Sequence, residues 1–268
     1  MTNQVKGFAL ITGASSGIGA VYAERLARRG HDLILVARRE ERLTSLAQRI
    51  SGATGRKVET VVADLGDRAG SKRVEEILRR DTRISVLVNN AGAAAVTPLL
   101  NSDVDKMSEM IELNVNALVR LTYAAAPAFV QRGGGTIINI ASIVAIGPEV
   151  LNGVYGGSKA FVVAFSQSLK HELADKGVRV QVVLPGATAT DLWANAGLPV
   201  ENLPKEIVMQ TEPMVDAALA GLDLGEFVTI PALPDTRNWE AFEQARQSLI
   251  PVLGGSVPAK RYLNKEAA

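Results

Sequence analysis

The sequence predicts an α/β protein: a doubly wound, seven-stranded, mostly parallel sheet with helices on both faces. Three observations carry that expectation. Short apolar runs alternate with longer amphipathic stretches along 268 residues. Hydrophobic residues make up 47% of the chain and aromatic ones only 4%, a composition suited to parallel strands buried under helices. A glycine-rich turn joins the first apolar run to the first amphipathic one.

Residues 8–12 (FALIT) form the first strand, and 17–29 a helix that Gly30 stops. Residues 32–37 are the second strand. The helix over 40–50 has Leu43, Leu46, Ala47 and Ile50 at helical spacing. A strand over 57–63, a helix over 67–80 and a strand over 84–88 follow. The longest helix runs from about 104 to 130, opened by Ser102 and Asp105 as a capping pair and disturbed near its end by Pro127. Gly133-Gly134-Gly135 then breaks the chain. A strand over 136–141, a helix over 154–176 stopped by Gly177, a strand over 178–184 and a short strand over 227–230 complete the sheet. Residues 187–204 are apolar without period and carry Pro199 and Pro204, so the stretch 187–212 reads as a loop or lid. A C-terminal extension, 231–268, holds one helix over 236–249. With no linker and no repeat, residues 1–268 read as one domain.

Composition excludes several classes of function. Lys and Arg total 29 against 28 Asp and Glu, with no polybasic run, so neither nucleic acid nor an anionic membrane is an expected partner. The absence of cysteine removes disulfides, thiolate catalysis and thiolate-bound metal. His31 and His171 stand far apart, so no metal site is expected. No stretch approaches the roughly 18 apolar residues of a membrane helix. A soluble, cytoplasmic protein is the expectation.

The turn after the first strand reads Gly13-Ala14-Ser15-Ser16-Gly17-Ile18-Gly19. Glycines there let a pyrophosphate approach the backbone, and the helix behind offers free N–H groups to the anion. A dinucleotide-binding unit usually ends its second strand with an acid for the ribose 2′-hydroxyl. Here that strand ends at Ala37, and Arg38 and Arg39 follow. A missing carboxylate and an arginine fork favour a 2′-phosphate, hence NADP over NAD.

Tyr155 and Lys159 stand four apart in a helix, on one face. A lysine beside a phenol lowers its pKa and makes it a usable acid or base. Ser142 follows a strand at the carboxyl edge of the sheet, where open α/β sheets bind ligands. Asp64, Asn89-Asn90-Ala91-Gly92 and Pro185-Gly186 follow other strands on the same rim.

Together these pieces resemble the short-chain dehydrogenase/reductase family, in its compact single-domain branch. The resemblance runs from residue 8 to about 190 and includes Thr12-Gly13, Gly17, Gly19, Asp64-Leu65, Asn89 to Gly92, Asn114, Ser142, Tyr155, Lys159 and Pro185-Gly186. It implies a Rossmann-type fold and a catalytic set of Asn114, Ser142, Tyr155 and Lys159. Tyr155 would be general acid or base and also contact the cofactor, Lys159 would hold the nicotinamide ribose, Ser142 would bond the substrate oxygen, and Asn114 would anchor a water that relays protons to Lys159. Asp64 and Leu65 would flank the adenine, and Asn90, Ala91 and Gly92 would support the cofactor. The Pro185-Gly186 peptide would face the nicotinamide, with Thr188 or Thr190 at its carboxamide. The family's loop often has a base at position 16; here it is Ser16, so NADP rests on Arg38 and Arg39. A homodimer or homotetramer through the helices 104–130 and 154–176 is also implied.

Ala93 to Val96, Ile143 to Ile146, Val150, Leu151, Leu192, Trp193 and Leu198 give the expected site an apolar wall. That wall suits a hydrophobic ketone, aldehyde or alcohol. Two alternatives share the fold. A non-catalytic NADP-binding sensor would not need Ser142, Tyr155 and Lys159 together. A nucleotide-sugar epimerase would need a larger C-terminal domain.

Overall fold

The computed structural model describes residues 6–262. The chain divides into two compact units, one ending at Pro231 and one beginning at Ala232.

The first unit is built on a seven-stranded sheet with the order β3-β2-β1-β4-β5-β6-β7, parallel at every junction. The strands are β1 (Phe8–Thr12), β2 (Asp32–Ala37), β3 (Val58–Val62), β4 (Ile84–Asn89), β5 (Gly135–Ile140), β6 (Val178–Val183) and β7 (Val228–Thr229). All five residues of β1 are buried, as the continuous run FALIT requires of a strand covered on both faces. The order reverses between β1 and β4, which opens a crevice at their carboxyl ends.

Helices α1 (Gly17–Arg28), α2 (Glu40–Thr54) and α8 (Thr211–Leu224) belong to one face. Val21, Leu26, Leu43, Leu46, Met214 and Leu219 meet Ile11, Leu35 and Val88 of the sheet there. On the other face lie α3 (Arg68–Arg80), α5 (Leu118–Gln131) and α6 (Gly153–Leu173), with Val74, Leu78, Leu121, Phe129 and Leu169 against Leu10, Ile34 and Leu87. Each such side chain, once buried, contributes about 1.5–3 kcal/mol before entropy is counted.

Three details differ from the sequence reading. The long helix is not uniform: α4 (Val104–Ile111) leads into a π-helical stretch, Glu112–Ala117, before α5 begins. Its cap is Asp103, whose carboxylate accepts from the Asp105 N–H at 2.9 Å. Ser102 instead donates to the Leu99 carbonyl at 3.0 Å. Helix α8 departs from the sequence reading: its first residues fall in the stretch 187–212 that reads as a loop or lid, and 213–226 carries no expected element. Small residues and Gly221 blur its period. Gly221 is required by proximity, since a Cβ there would lie 2.4 Å from Thr229 Oγ1.

The second unit carries α9 (Thr236–Leu249). Asp235 caps it, accepting from the Arg237 N–H at 2.9 Å. The rings of Trp239 and Phe242 lie 5.3 Å apart on it.

Candidate active site

The glycine turn follows β1 directly. Gly13 and Gly17 have φ of 64° and 53°, the left-handed region that a side chain resists. A Cβ on Gly19 would lie 2.5 Å from the Gly13 carbonyl oxygen. Ser15, Ser16 and Ile18 are half-buried along the turn. Ser16 makes no side-chain cap to α1, and no acid stands in that helix's first turn. The helix therefore presents unpaired N–H groups and a positive dipole end to the crevice.

A hydroxyl knits the seam behind this turn. Thr12 Oγ1 donates to the Val88 carbonyl at 3.2 Å. It accepts from the N–H groups of Asn90 at 2.9 Å and Ala91 at 3.0 Å. Asn90 Nδ2 donates to the Thr12 carbonyl at 2.8 Å. Asn90 thus bridges the ends of β1 and β4. Asn89 does not reach the rim; it is buried in the sheet and donates to Thr122 Oγ1 and Asn139 Oδ1.

Beyond the end of β2, Arg38 Nη1 stands 3.5 Å from Asp64 Oδ2. Asp64 also accepts from the Gly66 N–H at 2.9 Å, and Leu65 is buried beside it. Arg39 occupies the cap position of α2 without a capping bond.

The four expected catalytic residues are all buried. Asn152 caps α6, accepting from the Val154 N–H at 2.9 Å, and so starts the helix that carries Tyr155 and Lys159. The Tyr155 ring packs in a cluster with Ala95, Met110 and Val144. The Ser142 hydroxyl is near enough to its phenol to lower the phenol's pKa. The Ser142 hydroxyl also accepts from the Val144 N–H at 3.3 Å and stands 3.4 Å from the Pro185 carbonyl. Lys159 Nζ donates to the Ile140 carbonyl at 3.0 Å and lies 6.0 Å from the Tyr155 ring centre. Gly92 faces both Asn114 and Lys159: a Cβ there would meet Asn114 Oδ1 at 3.1 Å and Lys159 Nζ at 3.5 Å.

Electrostatics correct one expectation. Burial pushes the Tyr155 phenol above its ordinary value, opposed by the nearby Ser142 hydroxyl. Burial also pushes Lys159 down, to about 8. A low-dielectric site disfavours both charged forms, so the lysine does not by itself create a phenolate. Asn114, inside the π-helical stretch, uses both Nδ2 hydrogens, on the Ala93 carbonyl at 2.9 Å and Ser158 Oγ at 3.0 Å. Its Oδ1 accepts from the Ala93 N–H at 2.8 Å. The side chain therefore clamps the segment after β4.

The stretch after β6 crosses the mouth of the crevice. The Pro185 carbonyl accepts from the Ile143 N–H at 3.0 Å. Thr188 donates to the Gly186 carbonyl at 3.1 Å and Thr190 to the Thr188 carbonyl at 3.4 Å. Thr190 packs on the glycine turn, its Cγ2 only 2.9 Å from where a Gly17 Cβ would be. A short helix, α7 (Asp191–Asn195), follows. Trp193 anchors this helix, donating its indole N–H to the Thr188 carbonyl at 3.0 Å.

Comparisons agree with this geometry. The family model described as short chain dehydrogenase matches residues 7–199. The chain belongs to the short-chain dehydrogenase/reductase family. Among solved structures, this short-chain dehydrogenase is 48% identical to one from Sphingobium yanoikuyae in complex with NADPH, with a TM-score of 0.93 over 96% of this chain and 99% of that one. It is 42% identical to the bulky-bulky ketone specific alcohol dehydrogenase of Comamonas testosteroni, with a TM-score of 0.90 over 97% and 100% of the two chains. It is also 41% identical to sulfoacetaldehyde reductase 2 of Chromohalobacter salexigens over 87% of this chain and 96% of that protein. It is an oxidoreductase on the Rossmann-type fold that the family uses.

Several residues of this dehydrogenase escaped sequence reasoning. A buried polar chain runs from Asn89 through Asn139 to Ser166, which donates to the Val162 carbonyl at 2.7 Å. Only the polar Asn139 inside the run TIINIA hinted at it. Ser158, a partner of Asn114, and Asp191, paired with arginines across the crevice, gave no signal of their own. Among the described residues no group of three or more His, Cys, Asp or Glu could hold a metal ion. None of the described helices is long and apolar enough to cross a membrane.

Proposed function

We propose that this chain is an NADP-dependent oxidoreductase that transfers hydride between NADP(H) and an alcohol/carbonyl pair on a hydrophobic small molecule. The observation that carries the reading is the convergence of Ser142, Tyr155 and Lys159 beside Gly92, on the same sheet edge as the glycine turn. The cradle fits a dinucleotide: the turn is tight enough that Cβ atoms at Gly13 and Gly19 would clash, and the N-terminus of α1 is free for a pyrophosphate.

The nicotinamide, when bound, supplies or accepts the hydride. The chain's own residues handle the proton. In reduction, the Tyr155 phenol gives its proton to the substrate oxygen as negative charge develops there. Ser142 donates a hydrogen bond to the same oxygen, an oxyanion-type role. In oxidation both steps reverse. Lys159, with a pKa pushed to about 8, exchanges protons near neutral pH and can restore the one Tyr155 has given. Asn114 keeps Ala93 and Gly92 in place beside it.

Specificity for NADP rests on Arg38 and Arg39 and on Ala37, where an acid would repel a 2′-phosphate. The Sphingobium relative bears NADPH. For the substrate, Ile143, Ile146 and Val150 stay 44%, 43% and 69% exposed beside Ser142. Residues 143–151 include no cation and one acid, Glu149, which suits a hydrophobic ketone better than a small sulfonate.

The test is a fluorescence titration with NADPH and NADH, followed by a panel of hydrophobic ketones. NADPH should bind at least tenfold more tightly. Arg38→Ala should remove most of that gap, since its guanidinium is a phosphate fork. Binding without turnover on any ketone would favour the sensor reading, and no binding of either cofactor would end both.

The same reading includes self-association through α5 and α6. Phe165 stacks with Phe161 at 5.8 Å and with Tyr123 at 6.4 Å, bridging the two helices. Tyr123 and Phe161 are exposed. Exposed aromatics in a contiguous patch mark interfaces. Light scattering should give a dimer or tetramer mass; a monomer would remove this part.

A further inference from the structure

We propose that Arg42 is a third cation of the 2′-phosphate site, and that Asp191 of the lid occupies its guanidinium until the phosphate displaces it. The inference rests on the NADP reading above and adds a residue and a competitor to it.

A cavity of about 400 Å³ opens beside the glycine turn, lined by Ser15, Ser16, Glu41, Arg42, Ser45 and Arg49 among others. Ala20 and Leu46 complete its wall, and its serine hydroxyls and two guanidinium groups supply the donors a phosphate monoester needs. The turn itself brings no cation, because positions 15 and 16 are both serine. Any cation beyond Arg38 and Arg39 must therefore come from α2. Arg49 is engaged by Glu24 at 2.5 Å. Arg42 stands one turn beyond Arg38 and Arg39, on the same side of the helix start.

Arg42 does not point into solvent unpartnered. Its Nη1 donates to Asp191 Oδ2 at 2.9 Å, and Arg39 Nη2 stands 3.9 Å from the same oxygen. Asp191 follows Thr190, which rests on Gly17, so the carboxylate is delivered to the phosphate side of the crevice by the lid. The three side chains are 47–54% exposed, and ion pairs so exposed hold weakly. A phosphate monoester carries a charge of about −1.5 to −2 at neutral pH and three acceptor oxygens. It outcompetes one carboxylate for Arg39 and Arg42. Asp191 thus marks the seat of the phosphate and opposes its arrival, while tying the start of α7 to the arginines when the seat is free. Glu41, the one carboxylate lining the cavity, acts in the same opposing sense.

The experiment is a fluorescence titration of the full chain with NADPH and with NADH, in wild type, Arg42→Met, Arg42→Lys and Asp191→Asn. Arg42→Met should weaken NADPH about tenfold and leave NADH unchanged. Arg42→Lys should recover part of the loss, because a point charge replaces a fork. Asp191→Asn should tighten NADPH severalfold, leave NADH unchanged, and lose its effect in the Arg42→Met background. If Arg42→Met keeps the wild-type preference while Arg38→Ala abolishes it, Arg42 is not in the site. Equal weakening of both cofactors, or weaker NADPH binding in Asp191→Asn, also overturns the proposal. A wild type that does not distinguish NADPH from NADH overturns the cofactor reading itself.

Discussion

Lys159→Met is expected to make the protein more stable and to abolish turnover. The ammonium is buried, and burial holds its pKa near 8 against 10.5 for the ordinary side chain. The unfolded chain therefore binds a proton that the folded chain binds poorly. Folding carries this penalty in full below pH 8, and it fades as pH rises toward 10.5. A shift of that size corresponds to about 3 kcal/mol, from which the lost hydrogen bond to the Ile140 carbonyl removes about 1 kcal/mol. Denaturant unfolding at pH 7 should show the variant ahead by roughly 2 kcal/mol, with the gap closing at higher pH. A pH-independent gap would show that burial of charge is not its source. Turnover should vanish because the proton-exchange and ribose-binding roles proposed for Lys159 are lost together. Stability given up at a functional residue is the usual trade at an active site.

Tyr155→Phe is expected to lower kcat by about 10²–10⁴ while changing cofactor affinity far less. Phenylalanine keeps the ring that packs against Ala95, Met110 and Val144 and removes only the oxygen that meets Ser142. Stability should change little, because the ring stays in its cluster and only a buried hydroxyl is lost. The wild-type pH profile should be asymmetric. The phenol's raised pKa keeps it protonated through the neutral range, so reduction should be flat there. Oxidation needs the phenolate and should accelerate as pH rises. Steady-state rates in both directions, with NADPH titrations as the control, check this. A Phe variant retaining more than about a tenth of wild-type kcat would remove Tyr155 from the acid–base role.

Much of the architecture could be read from residue order because parallel strands buried on both faces leave unbroken apolar runs. The central strands β1, β2 and β4 announced themselves that way, whereas β3 (VETVV), with none of its residues buried, did so by alternation. What could not be read depends on distance in space. Asn114 was visible as a polar residue in a helix, but the π-helical stretch around it and its grip on Ala93 arise from tertiary fit. Asn89 looked like a rim residue because it follows a strand. The pleat turns it inward instead, and Asn90 faces the crevice. The Tyr155 and Lys159 spacing was legible, whereas the sign of their pKa shifts was not, because burial has no signature in a four-residue interval. Helix α8 was hidden by small residues whose value lies in close packing beneath β7.

The seam between β1 and β4 has a consequence for how the molecule assembles. β1, β2 and β3 neighbour one another in the sheet and leave the ribosome in succession, so they can pair without waiting for the rest. β4 must then return past both to reach the free edge of β1. That return is the one long loop closure between the two halves of the sheet, and Thr12 and Asn90 bond across it. The crevice therefore does not exist until β4 has docked. A molecule bound across the seam links the early half of the chain to the late half. Its binding energy then opposes separation of the two halves, and stability should rise with its concentration.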